Sequence, residues 1–311
     1  MKKYLTIIFI ILFSGLILAA DALYLPNLGS SARMIALGNI DGFSRSSNAI
    51  FENPACLYRI NNYSASIFAT KLFDEVSYKS LSFGVRTDYG VFALGYMAAE
   101  VSGIPHTGLA ISGNNNRSFF VDYYFKYDNW LAKLGHQLTL FENVYIGTAL
   151  NYYENSMDGY KGRGFNMDTG AFLDWQPVQI SVVFKNIMYF SDLYYSNKDD
   201  PEYSGVEHFP FQTVVTGIYN WGDFNILAQV KRTSDQPKLL KSLGLHYSPW
   251  FLKLFNLYGG YKEYYSLQNI SNVYTIGVGL DLFDVEFNYA YEKSDHFEFD
   301  NNSYFSLSIN F

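Results

Sequence analysis

A single cysteine in 311 residues, Cys56, excludes a disulfide framework within the chain. Charge is also scarce. Asp, Glu, Lys and Arg make up 16% of the residues, against about 25% in ordinary globular chains. The net charge of -7 argues against a nucleic-acid partner, which requires a basic face. No long apolar run follows residue 22, so the mature chain is not expected to cross a membrane with helices. Hydrolase signatures are missing too, with neither G-x-S-x-G nor H-E-x-x-H present. The five histidines (His106, His136, His208, His246, His296) are scattered. His136 and His246 fall on positions expected to face inward. His106 and His208 fall in expected loops, with Asp199, Asp200 and Glu207 nearby, where solvated loop polarity is the expected account and a metal or hydrolase site the alternative. The expectation is a non-enzymatic chain without metal or cofactor.

Aromatic residues are abundant. The chain holds 28 Tyr and 27 Phe, and 49% of it is hydrophobic. An aromatic-rich, charge-poor chain without apolar helices suits an antiparallel barrel with a lipid-facing skin, because only helices and closed barrels satisfy every backbone group in lipid. The N-terminus carries the marks of a secretory signal: Lys2 and Lys3, the apolar stretch Leu5 to Leu18, and an A-x-A site at Ala20-Asp21-Ala22. Residues 1–22 are therefore expected to be removed, after Ala20 or after Ala22.

The last residues alternate strictly. Phe305, Leu307, Ile309 and Phe311 fall on every second position, with Ser306, Ser308 and Asn310 between them. Period two is strand geometry, and a terminal Phe on such a strand marks the closing strand of an outer-membrane barrel, the signal for the barrel-assembly machinery. Working back from it, the spacing predicts fourteen strands at about 62–70, 77–87, 90–99, 129–140, 144–154, 165–175, 178–187, 211–220, 223–232, 241–249, 255–262, 273–281, 284–292 and 303–311. Short connections alternate with long ones, the long set being 100–128, 155–164, 188–210, 233–240, 263–272 and 293–302. Short periplasmic turns and long external loops are the outer-membrane pattern. On the strands, Asp168, Asp174, Lys185 and Glu286 alternate with apolar outer residues and so face the lumen. Their mixed signs suggest internal ion pairs rather than a selectivity ring.

Leu23 to Asn61 does not alternate. It is punctuated by Gly29, Gly38 and Gly42, a short helix is expected after Arg33, and Asn53-Pro54 marks a turn. Irregular backbone is tolerated inside a lumen, so residues 23–61 are expected to form a hatch and residues 62–311 the barrel.

Several segments carry a resemblance that runs through most of the mature chain. They are A-R-M-I-A-L-G (Ala32 to Gly38), N-A-I-F-E-N-P-A-C-L (Asn48 to Leu57), A-L-G-Y-M (Ala93 to Met97), V-Y-I-G-T-A-L-N-Y-Y (Val144 to Tyr153), G-F-N-M-D-T-G-A (Gly164 to Ala171) and V-V-F-K-N-I (Val182 to Ile187). In order and spacing they resemble the PorV/PorQ family of FadL-like outer-membrane barrels. The resemblance implies fourteen strands and an N-terminal hatch whose motif comprises Gly29, Arg33, Gly38, Asn48, Asn53, Pro54, Ala55 and Cys56. Cys56 stands where the family usually carries Gly, a residue tolerant of positive φ. Here it is expected to act as a small buried hydrophobe. The resemblance also implies residence in the bacterial outer membrane, in contact with its lipid. Two roles follow from it, the first as the main expectation and the second as the alternative. One is a component of type IX secretion or surface assembly, with secretion proteins or secreted cargo as partners. The other is a FadL-like transporter of long-chain fatty acids or other hydrophobic small molecules.

Overall fold

A computed structural model describes residues 25–72, 75–111, 117–188, 191–197, 204–266, 269–294 and 302–311. The expected signal peptide (1–22) and the pair Asp199-Asp200 lie outside the described residues. Sixteen strands are described: β1 (Tyr63–Leu72), β2 (Val76–Thr87), β3 (Gly90–Ile111), β4 (Arg117–Phe141), β5 (Val144–Met157), β6 (Tyr160–Trp175), β7 (Val178–Lys185), β8 (Asp192–Asn197), β9 (Ser204–His208), β10 (Gln212–Trp221), β11 (Phe224–Thr233), β12 (Leu240–Tyr247), β13 (Phe255–Ser266), β14 (Asn269–Leu282), β15 (Val285–Ser294) and β16 (Asn302–Asn310). All but β8 and β9 pair in sequence order around an antiparallel barrel. The first strand closes on the last, with Ala65 opposite Ile309 and Ile67 opposite Leu307. The β8–β9 hairpin is an addition to the rim, joined to the outer end of β6 at Tyr160–Arg163.

The wall alternates as period two requires. On β14, Tyr274, Ile276 and Val278 are exposed while Thr275 is buried. On β16, Phe305 points outward at 62% exposure and Tyr304 points into the lumen at 3%. One end of the barrel carries an exposed aromatic at nearly every short turn: Tyr89, Phe141, Trp175, Trp221, Trp250, Phe283 and the terminal Phe311. This is an interfacial aromatic girdle at the periplasmic end, where both the short turns and Phe311 sit. A closed barrel with an apolar outer wall and such a girdle resides in the bacterial outer membrane.

Each of the fourteen expected strands corresponds to a barrel strand, but several expected loops are strand. Residues 100–111 and 117–128 extend β3 and β4 as a hairpin far beyond their neighbours. Their alternation is obscured by register shifts between Val101 and Ile104 and again near His106, with Gly103 at φ +74. Residues 155–164 close in the two-residue turn Asp158-Gly159, both at positive φ. Residues 263–272 are mostly strand, and 188–210 contain β8 and β9. His136, expected inside, faces outward. It stacks on Phe92 and bonds the Tyr89 carbonyl at 2.9 Å.

Candidate functional site

The chain from Leu25 to Ile60 lies inside the barrel, and most of its apolar residues are fully buried. Ile35, Leu37, Ile50, Leu57 and Ile60 have no exposed surface. Each such side chain contributes about 1.5–3 kcal/mol on burial, which favours holding this segment in the lumen.

Its first fixed piece is helix α1 (Ala32–Ala36), the short helix expected after Arg33. Ser31 caps it by accepting from the Met34 N–H at 3.2 Å. Gly38 ends it at φ +77, and an added Cβ there would also strike the Tyr261 carbonyl of β13. The helix docks on β13–β16. The Ala32 N–H donates to Ser306 Oγ, Thr275 Oγ1 donates to the Ala36 carbonyl, and Arg33 reaches Glu286 at 3.2 Å. Gly29 is held through its carbonyl, which accepts from Tyr78 OH at 2.7 Å.

The second piece is helix α2 (Ala49–Glu52), followed by the 3-10 segment Pro54–Arg59. Asn48, just before α2, donates through Nδ2 to Ser30 Oγ at 2.7 Å and so ties the two pieces together. Asn53 caps the 3-10 segment by accepting from the Ala55 N–H. Its side-chain N–H group donates to the Ala171 and Val182 carbonyls and to Ser181 Oγ. Ala171 and Val182 are register partners across β6–β7, so this amide reaches into the wall's own ladder. Gly147 and Gly170 make room for the corner. A Cβ on Gly147 would overlap the Pro54–Ala55 backbone, and one on Gly170 would overlap Asn53 Oδ1. Cys56 is fully buried, with its thiol against the Gly42 carbonyl. It sits in ordinary 3-10 backbone rather than the positive-φ position that a Gly there suggested. Burial pushes the thiol up to about 12.

Of the four inward charges expected from the sequence, Lys185, Glu286 and Asp168 are in ion pairs. Lys185 meets Asp41 at 2.9 Å, and Arg33 meets Glu286. Asp174 accepts from Tyr58 OH at 2.7 Å. Asp168 pairs with Lys133 within the wall and also accepts from Asn151 and from the Asn186 N–H. Three of the four charges singled out from the sequence therefore meet the inner segment. Sequence reasoning missed the partners Asp41 and Lys133, and it missed Glu52. The Glu52 carboxylate accepts from the Gly42 and Ser44 N–H groups. Burial, reinforced by neighbouring Asp41, pushes it up to about 7. The position of Lys133 on the inward period of its strand was the available signal.

Between α1 and the loop that follows it only about 10 Å³ is left open, roughly room for one water. The larger hollows open on the outside of the wall. One of about 280 Å³, lined by Leu138, Ile146, Ala171, Val182 and Phe184, lies directly opposite the Asn53-Pro54 corner. Backbone at Gly147 and Gly170, without side chains, separates the two. Just beyond, the ladder of β6 is interrupted. It pairs with β7 from Thr169 and with β8 up to Arg163, and the interval is bridged by the Ile187 N–H to the Met167 carbonyl. Among the described residues no cluster of three or more His, Cys, Asp or Glu has metal-binding geometry.

No protein-family model and no curated protein matches the sequence. Solved structures do match in fold. The Pseudomonas putida toluene transporter TodX superposes with a TM-score of 0.65 at 12% identity, covering 95% of this chain and 100% of its own. The CymD monoaromatic hydrocarbon channel gives 0.61 at 13%, covering 93% and 99%. A Pseudomonas aeruginosa FadL homologue gives 0.56 at 9%, covering 95% and 99%. The fold is that of FadL-type outer-membrane channels. These matches lend no support to the narrower PorV/PorQ resemblance.

Proposed function

We propose that this protein passes hydrophobic small molecules across the outer membrane. The observation that carries this reading is the wall at β5–β7. There the polar corner Asn53-Pro54-Ala55 of an otherwise buried inner segment closes a side-chain-free patch, with an apolar hollow outside it. A polar solute needs a water-filled channel, whereas a hydrophobic one can leave sideways into lipid once the corner withdraws. The inner segment packs against the wall in one continuous apolar core, which disfavours an aqueous pore. The fold shared with channels named for toluene and monoaromatic hydrocarbons supports the same reading.

The secretion role implied by the PorV/PorQ resemblance is the less supported alternative, since the shared fold belongs to channels named for small molecules. Uptake of radiolabelled toluene and of a long-chain fatty acid should be compared in cells with and without the gene. Faster uptake of either with the gene supports transport. Identical rates for both, with the barrel present in the membrane, would sink it.

A further inference from the structure

The β3–β4 hairpin carries a surface that neither the barrel nor the transport reading explains. β2 pairs with β3 only as far as Val101, and β5 pairs with β4 only as far as Tyr127. Beyond these points the hairpin runs to Ile111 and Arg117 without a strand neighbour among the described residues. From the periplasmic turn, Gly90 to Val101 already climbs about 30 Å at ~3.3 Å per residue and ~40° tilt, against an apolar band about 25 Å tall. The projecting part therefore stands above the lipid tails.

Its two faces differ. On the lumen-side face the aromatic rings are half-exposed and have partners within the protein. Tyr123 stacks on His106 at 4.4 Å and donates to Asp158, and Phe120 covers Gly108. The register puts Leu109 opposite Phe119, Thr107 opposite Val121 and Pro105 opposite Tyr124 on the other face. Phe119 is 79% exposed and Tyr124 67%. This face continues, on the same side, the lipid-facing wall marked below it by Leu94 and Leu134. Two-stranded ribbons are marginal on their own, and two bare aromatic rings beside Leu109 and Val121 in water add nothing to them.

We propose that this face docks against the oligosaccharide headgroups of the outer-leaflet glycolipid. The strip that meets lipid tails lower down meets, at this height, the sugars those lipids carry. Flat aromatic rings pack well on the C–H faces of sugar rings, with the Tyr hydroxyl left for a polar contact. The proposal rests on the outer-membrane placement and not on the transport reading.

The test uses the full-length protein in three nanodiscs: phospholipid alone, phospholipid with core-bearing rough lipopolysaccharide, and phospholipid with lipid A lacking the core. Backbone amide exchange over 104–111 and 117–125 should slow about tenfold only with the core-bearing lipid. The double variant F119S/Y124S should abolish the slowing while exchange in β13 and β14 stays unchanged, which shows an intact barrel. Equal exchange in all three nanodiscs would overturn the proposal. So would slowing that depends on protein concentration, which means a second copy covers the face. So would slowing that F119S/Y124S leaves intact.

Discussion

Cys56 is the most direct reporter of how the inner segment sits. Buried, and with a thiol pushed up to about 12, it has almost no thiolate at pH 8. Iodoacetamide should leave it unmodified in the folded protein and modify it fully in denaturant. Rapid labelling of native protein, read by intact mass, would mean that residues 48–60 leave the lumen. Gly170 offers the opposite handle. A side chain there must displace Asn53, whose amide is bonded to both strands of the wall. Gly170→Val should loosen the corner at a cost of about 1–3 kcal/mol. Limited proteolysis should then cut within 48–60, a region protected in the parent. An unchanged digestion pattern would show that the contact is not holding the segment. The N-P-A turn was legible in the sequence because Pro and Asn carry local conformational information. Which wall position it meets was not, because Gly147 and Gly170 look like any other strand glycines until the register places them together.

At the scale of elements, the strands were readable and their outer ends were not. Period two marks a strand only while one face is apolar and the other polar. On the projecting hairpin both faces carry aromatics and the register shifts twice, so the pattern dissolves although the strands continue. The turn Asp158-Gly159 carried its own signal, since Asp-Gly suits a two-residue hairpin with positive φ at both positions. His136 is expected inside and lies outside because alternation alone leaves the phase of its strand open, and a one-residue slip inverts every side chain.

The inner segment should also respond to pH. Glu52 titrates near 4.5 when free and at about 7 in the lumen, beside Asp41 and Lys185. Below about 4.5 it is protonated both docked and free, so its full stabilising contribution is present. As the pH rises towards 7, the free carboxyl loses its proton first, and the docked state loses that contribution. Amide exchange in 41–52, corrected for its intrinsic pH dependence, should therefore be slower at pH 5 than at pH 8. Glu52→Gln should flatten the difference. A parent profile already flat would show that the carboxyl is not buried as described.

At the scale of the whole molecule, a lipid-facing wall encloses a packed inner segment, and a polar corner of that segment closes a thin patch of the wall. The barrel class and its membrane were visible in composition, alternation and the terminal strand. The ion pairs that hold the inner segment were visible only as inward charges without partners, because Asp41 and Lys185, or Arg33 and Glu286, are distant in sequence. The measurement that bears most directly on this account is ion conductance of the purified protein in planar bilayers, beside a form lacking residues 25–61. The parent should show no steady conductance and the shortened form should conduct. A parent that conducts steadily, at a level the deletion does not change, would contradict it, because the lumen would then be an open aqueous pore.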